Sequence, residues 1–177
     1  MYTGIILYQR FSEYELSVLL SVLSQGNKPV RYIGLDSTTV QGEAGLTCVT
    51  QSKVSDLPID ELDSVVLPGV EDFQHLVGHQ GLIDFLKHVQ KENMPIGAIS
   101  SAPYFLAMSG LLDGYRYTTG LTEEQRMFLG TFQEDNYIDA PTVQDGNIVT
   151  AKGAAFIDFA ITYGKLLQLE FNESWYR

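Results

Sequence analysis

Short continuous apolar runs alternate along this chain with longer stretches in which apolar residues recur every three or four positions. Gly4-Ile5-Ile6-Leu7-Tyr8 is the first run, the mark of a strand covered on both faces. Leu16, Leu19, Leu20 and Leu23 then follow one helical face that ends at Gly26. A second strand is expected over residues 30–35, a ribbon with turn residues over 42–55, and a third strand over 63–67 that stops at Pro68-Gly69. Leu82, Phe85, Leu86 and Val89 line a helix that must stop before Pro95, and another buried strand follows it. Beyond it come a helix ending near Gly110, a short helix over 122–129, and a hairpin over 142–150 turning on Asp145-Gly146. A last helix over 154–169 buries Phe156, Phe159, Ala160, Tyr163 and Leu167. Strands alternating with helices predict an α/β fold, a mostly parallel sheet with helices on both faces.

The stretch Ile96-Gly97-Ala98-Ile99-Ser100-Ser101-Ala102-Pro103 breaks abruptly from strand to helix at Ser100. Ala98 and Ala102 lie two residues either side of it, the small-x-Ser-x-small spacing of a nucleophile elbow, where a tight turn excludes larger neighbours. Pro103 suits the first turn of the following helix. The alternative is an ordinary βα turn whose Ser100 or Ser101 caps that helix.

Composition narrows the function classes. At 177 residues and 45% hydrophobic content, residues 1–177 form one domain. The net charge of -11 and the scattered basic residues argue against nucleic acid and anionic membranes as partners. No apolar run is long enough to span a bilayer, and the start MYTGIILYQR lacks the features of a signal peptide, so a cytoplasmic protein is expected. The single cysteine, Cys48, cannot form an internal disulfide and reads as a small strand residue.

Glu15 has two readings. Ser12-Glu13-Tyr14-Glu15 matches a capping box, with Ser12 as N-cap and Glu15 reaching back to it. Glu15 also opens the helix after the first strand, which in a parallel sheet puts it at the same carboxyl edge as Ser100. Gly69 and Val70 reach that edge from the third strand, and the Val70 and Ser101 N–H groups are expected to receive an oxyanion. A histidine base is missing after the elbow, since His75, His79 and His88 all precede Ser100. His75 and His79 have the spacing of a metal pair, but no nearby acidic or cysteine group completes a site, so no metal or cofactor is expected.

With Glu15, Val65-Val66-Leu67-Pro68-Gly69, and Ala98-Ile99-Ser100-Ser101-Ala102-Pro103 in place, the chain resembles the ThiJ/PfpI family. This is the superfamily of the Parkinson-associated protein deglycase, related to class I glutamine amidotransferase domains. The likeness extends through Ser109-Gly110-Leu111-Leu112-Asp113-Gly114, Asp145-Gly146-Asn147-Ile148-Val149-Thr150 and Gly153. It implies a flavodoxin-like three-layer sandwich, commonly a homodimer, among relatives that include intracellular peptidases or amidases, glyoxalases, deglycases and isonitrile hydratases. The family's elbow nucleophile is a cysteine, and the matching residue here is Ser100. Thr118-Thr119-Gly120 stands where a Thr-Thr-His would be expected, and Pro68-Gly69-Val70 replaces Pro-Gly-Gly. Gly69, Ala102 and Thr119 are expected to line a pocket around Ser100.

Three functions follow from these residues. The first is a small-molecule-binding or regulatory protein whose hydrolase-type activity is lost or weakened, because an alcohol without a base is a poor nucleophile. The second is a serine-dependent hydrolase or amidase using Ser100 and Glu15. The third is a purely structural partner protein.

Overall fold

A computed structural model describes all 177 residues. Strand β1 (Tyr2–Leu7) is the first apolar run, and α1 (Tyr14–Gln25) follows it. Strand β2 (Val30–Gly34) leads into a separate hairpin, β3 (Thr39–Gln41) with β4 (Thr47–Val49), and then into the short β5 (Ser52–Lys53). The expected ribbon is thus split, with β3 and β4 pairing apart from the main sheet while β5 joins it beside β2. Cys48 is a half-buried residue of β4. Next come β6 (Leu62–Leu67), α2 (Gln80–Lys91), β7 (Ile96–Ile99) and α3 (Pro103–Met108). The chain closes with α4 (Glu123–Leu129), the hairpin β8 (Thr142–Asp145) and β9 (Ile148–Ala151), and α5 (Phe156–Leu166).

The main sheet has seven strands in the order β5-β2-β1-β6-β7-β9-β8, all parallel except β8, which returns antiparallel on β9. The chain leaves β1 toward one edge and β6 toward the other. Right-handed crossovers in opposite directions put α1 and α2 on opposite faces. α5 packs beside α1, and α3 packs beside α2, which completes the three layers of a flavodoxin-like fold. The boundary between β1 and β6, where the direction of winding reverses, leaves a crevice at the carboxyl edge of the sheet.

Central strands buried on both faces explain their unbroken apolar sequence. Ile5, Ile6, Val65, Val66, Ala98, Ile99 and Val149 have no exposed surface. Phe159 and Tyr163 of α5 stack over β7, and the Tyr163 hydroxyl donates to the Val65 carbonyl at 2.9 Å. That bond satisfies a polar group that burial would otherwise leave unpaired.

Local details depart from expectation in two helices. α5 is shorter than its pattern, because residues Gly153–Ala155 form a 3-10 turn before it and Gln168 adopts φ of 56° after it. The Ser12–Glu15 capping box does not form. Glu13 occupies the N-cap position without a side-chain cap, and the Ser12 hydroxyl donates instead to Glu43 Oε1 at 2.7 Å. At α4, by contrast, a capping box between Thr122 and Gln125 is complete. No helix is long and apolar enough to cross a membrane.

Phe159 anchors α5 to the sheet with its ring fully buried. Phe159→Ala should lower the unfolding free energy by about 3–5 kcal/mol through the cavity left behind, read as a reduced midpoint at unchanged slope in urea unfolding.

Candidate functional site

Ser100 follows β7 directly and adopts φ of 64°, a left-handed conformation that is uncommon outside glycine. Three hydrogen bonds hold it there. Its N–H donates to the Ala151 carbonyl at 2.8 Å, and its carbonyl accepts from the Gly120 N–H at 2.8 Å and the Thr119 hydroxyl at 2.7 Å. Strained residues persist where the surroundings over-determine them. The helix-capping reading of the two serines fails, because Ala102 is the N-cap of α3 and makes no side-chain cap.

Glycines open the space around the Ser100 side chain. A Cβ on Gly69 would lie 2.6 Å from Ser100 Cβ and 2.7 Å from Glu15 Oε2. One on Gly120 would lie 3.3 Å from Ser100 Oγ. One on Gly153 would lie 2.9 Å from the Tyr14 hydroxyl, 3.1 Å from Glu15 Oε1 and 3.1 Å from Ser100 Oγ, so three oxygens converge on the volume this glycine leaves empty.

Glu15 enters from the first turn of α1 and is only 1% exposed. Its Oε2 accepts the Gly69 N–H at 2.6 Å. Desolvation dominates its chemistry and pushes its pKa from 4.5 up to about 7. The Gly69 N–H, then the Ser100 hydroxyl, oppose that rise by donating to the carboxyl, the nearby Glu43 charge adds to it, and the Tyr14 hydroxyl opposes it more weakly. The carboxyl is therefore poised between its two protonation states near neutrality, in contact with Ser100.

Below the site, the Tyr8 hydroxyl donates to the Pro68 carbonyl and fixes the turn after β6. Burial and the Glu15 charge both raise the Tyr8 pKa, so its phenol stays protonated as a donor.

The oxyanion arrangement expected of Val70 and Ser101 is not open. The Val70 N–H donates to Ser101 Oγ at 3.0 Å, and the Ser101 hydroxyl donates back to the Val70 carbonyl at 2.9 Å. Of the expected pocket residues, Thr119 lines the cleft over Ser100, and Gly69 and Ala102 do not. Gly69 acts through its close approach and its N–H, and Ala102 is fully buried behind the turn.

The cleft has a volume of about 590 Å³, with Ser100, Thr119, Gly120 and Gly153 at its base and Arg126 and Lys152 on its walls. Both cations are paired. Arg126 grips Glu134 at 3.0 and 2.9 Å and lies 3.7 Å over the Tyr137 ring, and Lys152 pairs with Asp139. None of the three histidines lines this cleft. His79 caps α2 by accepting the Leu82 N–H at 3.2 Å through Nδ1 and meets Asp36 at 3.0 Å through Nε2, which commits both ring nitrogens away from His75. No cluster of three or more His, Cys, Asp or Glu side chains comes together to hold a metal.

Tyr14, Gly120 and Gly153 complete the site beyond the residues anticipated from sequence. Gly153 follows β9 by two positions, and the sheet-edge logic that singled out Gly69 would have found it.

A flavodoxin-like sheet with a strained serine elbow at its carboxyl edge and a buried acid from the first helix defines a class of α/β proteins with a site beside the switch point. Residues 4–165 match the profile of the DJ-1/PfpI family, and the chain belongs to that family. It is 23% identical to "Uncharacterized protease YoaZ" of Bacillus subtilis over 96% of this chain and 86% of that protein. It is 24% identical to a deglycase of Pyrococcus abyssi over 81% of this chain and 84% of that protein. Among solved structures, a thiJ/pfpI family protein from Bacillus anthracis superposes with a TM-score of 0.86 at 24% identity, covering 99% of this chain and 88% of the other. Drosophila melanogaster DJ-1beta superposes with a TM-score of 0.79 at 24% identity, covering 93% and 90%.

The raised pKa of Glu15 has a stability consequence. Between pH 4.5 and about 7 the folded chain binds more protons at this residue than the unfolded chain does, so this contribution to stability is full below that window and lost as pH rises through it. Glu15→Gln removes the titration. Relative to that variant, the native chain should lose about 3 kcal/mol of stability across the window, at about 1.4 kcal/mol per pKa unit, measured by urea unfolding at a series of pH values.

Proposed function

We propose that this protein is a small-molecule-binding member of the DJ-1/PfpI family whose hydrolase-type activity is lost or greatly weakened. The observation that carries this reading is the setting of Ser100. The resemblance implies a cysteine at this position in the family, and the residue here is an alcohol whose only neighbouring base is Glu15. A thiol reaches a substantial thiolate fraction near neutral pH, whereas a serine hydroxyl needs a matched base to lose its proton. The engaged Val70 N–H further weakens the site as a catalyst of acyl transfer, since a tetrahedral oxyanion would lack one of its two expected donors. A cleft lined by Ser100, Thr119, Glu123, Asp139 and Lys152 suits a small polar ligand carrying both donors and acceptors.

A second reading is favoured by one observation. With its pKa near 7, Glu15 is a stronger base than an ordinary carboxylate, which supports a serine-dependent hydrolase or amidase using Ser100 and Glu15. The relatives named protease and deglycase lend that reading its reaction class. The two readings separate on covalent labelling. Incubation with a fluorophosphonate probe should give no stoichiometric adduct at Ser100 by intact-protein mass spectrometry. An adduct on the native chain that is missing from Ser100→Ala would establish the hydrolase instead.

The family resemblance also supports a homodimer. Sedimentation equilibrium at micromolar concentration should return twice the 19.7 kDa chain mass, and a monomer throughout that range would refute it.

A further inference from the structure

Ser101 makes a contact that the reading of Ser100 does not require. Phe11 and Val70 form an isolated antiparallel bridge, and the Ser12 N–H donates to the Gly69 carbonyl at 2.8 Å. In a bridge of that kind the hydrogen bonds fall on the flanking residues, so the N–H and C=O of Val70 itself point away from Phe11, as on the open edge of a strand. On that open side lies the elbow. Ser101 Oγ accepts from the Val70 N–H at 3.0 Å and donates to the Val70 carbonyl at 2.9 Å, so one hydroxyl satisfies the whole edge. Val70 is 4% exposed and Ser101 is 6% exposed, so water does not readily replace that hydroxyl. The backbone N–H of Ser101, by contrast, donates to no acceptor in the protein.

We propose that Ser101 is the specificity-determining residue that closes half of the oxyanion pocket beside Ser100. Its hydroxyl keeps the Val70 N–H out of use, so an anionic oxygen bound over Ser100 meets only the Ser101 N–H. Releasing the second donor requires the Ser101 side chain to rotate away, which leaves the buried Val70 carbonyl unpaired even when the Val70 N–H takes up the ligand. The site therefore selects against oxyanions that need two backbone donors. This inference rests on the cleft over Ser100 being a ligand site.

The test is an acetate titration of the full ¹⁵N-labelled chain, followed by amide resonances, at about pH 5.5, where a carboxyl of pKa near 7 is mostly neutral. In the native chain acetate should move the Ser101 amide and leave that of Val70 in place. In Ser101→Ala both amides should move, and acetate should bind about tenfold tighter, the scale of one added backbone donor. Ser101→Thr, which keeps the hydroxyl, should restore the native pattern, a rescue that a purely structural role of the side chain would not predict for ligand affinity. Should the alanine variant fail to fold, Ser101→Cys, with its weak hydrogen-bonding thiol, is read in the same way. Movement of Val70 in the native chain overturns the proposal. So does an unmoved Val70 with unchanged affinity in the variant while Ser101 responds, an outcome that leaves the cleft as a ligand site. If no amide around Ser100 responds in any protein, both the closure and the cleft reading fall.

Discussion

Everything at the carboxyl edge of this sheet depends on one residue being held at φ of 64° without being glycine. A non-glycine residue in a sparsely populated backbone region costs about 1–3 kcal/mol. The three hydrogen bonds that fix Ser100 each contribute about 1 kcal/mol, enough together to offset that strain. They come from β9 and from residues 119 and 120, both remote in sequence. A glycine would adopt this turn without strain. The strain is tolerated for the sake of the hydroxyl, which the turn lifts away from the sheet and into the cleft.

The second constraint is space. Parallel strands lie close together, and their ends would crowd the elbow if each carried a side chain. Gly69 after β6, Gly120 beside the elbow carbonyl and Gly153 after β9 remove that crowding from three directions. The cleared volume is filled by Glu15, which comes from the opposite side of the switch point on α1. A carboxyl buried there stays protonated toward neutrality unless donors compensate, and only the Gly69 N–H and two hydroxyls do so. The glycine positions and the raised pKa of Glu15 thus have one origin, the tight convergence of strand ends.

Much of this was legible in the chain. Unbroken apolar runs at β1, β6 and β7 announced a sheet covered on both faces, and the spacing of alanines around Ser100 announced the elbow. The shared edge of Glu15 and Ser100 followed from parallel topology alone. What could not be read were choices between partners that the sequence makes equally available. Ser12 and Glu15 carry the spacing of a capping box, yet Glu43 from the following ribbon offers Ser12 a different acceptor and Gly69 offers Glu15 a different donor. The Val70 N–H, expected to receive an oxyanion, already has a partner, because a side-chain hydroxyl one residue beyond the elbow lies near enough to reach it. Tyr14 was hidden for a similar reason. On α1 it reads as a half-exposed surface aromatic, and only its position over Gly153 makes it part of the site.

Burial sets two demands on Glu15 against each other. Removing a proton from a serine hydroxyl calls for a strong base, and desolvation strengthens Glu15 by raising its pKa. Each increment of basicity gained in this way also raises the fraction of carboxyl that is already protonated near neutrality and cannot accept a proton. No histidine lines this cleft to share the task. A protonated Glu15 is instead a good hydrogen-bond donor to a ligand, and its ionised form a good acceptor. Burial thus makes this carboxyl a donor below and an acceptor above a pH of about 7.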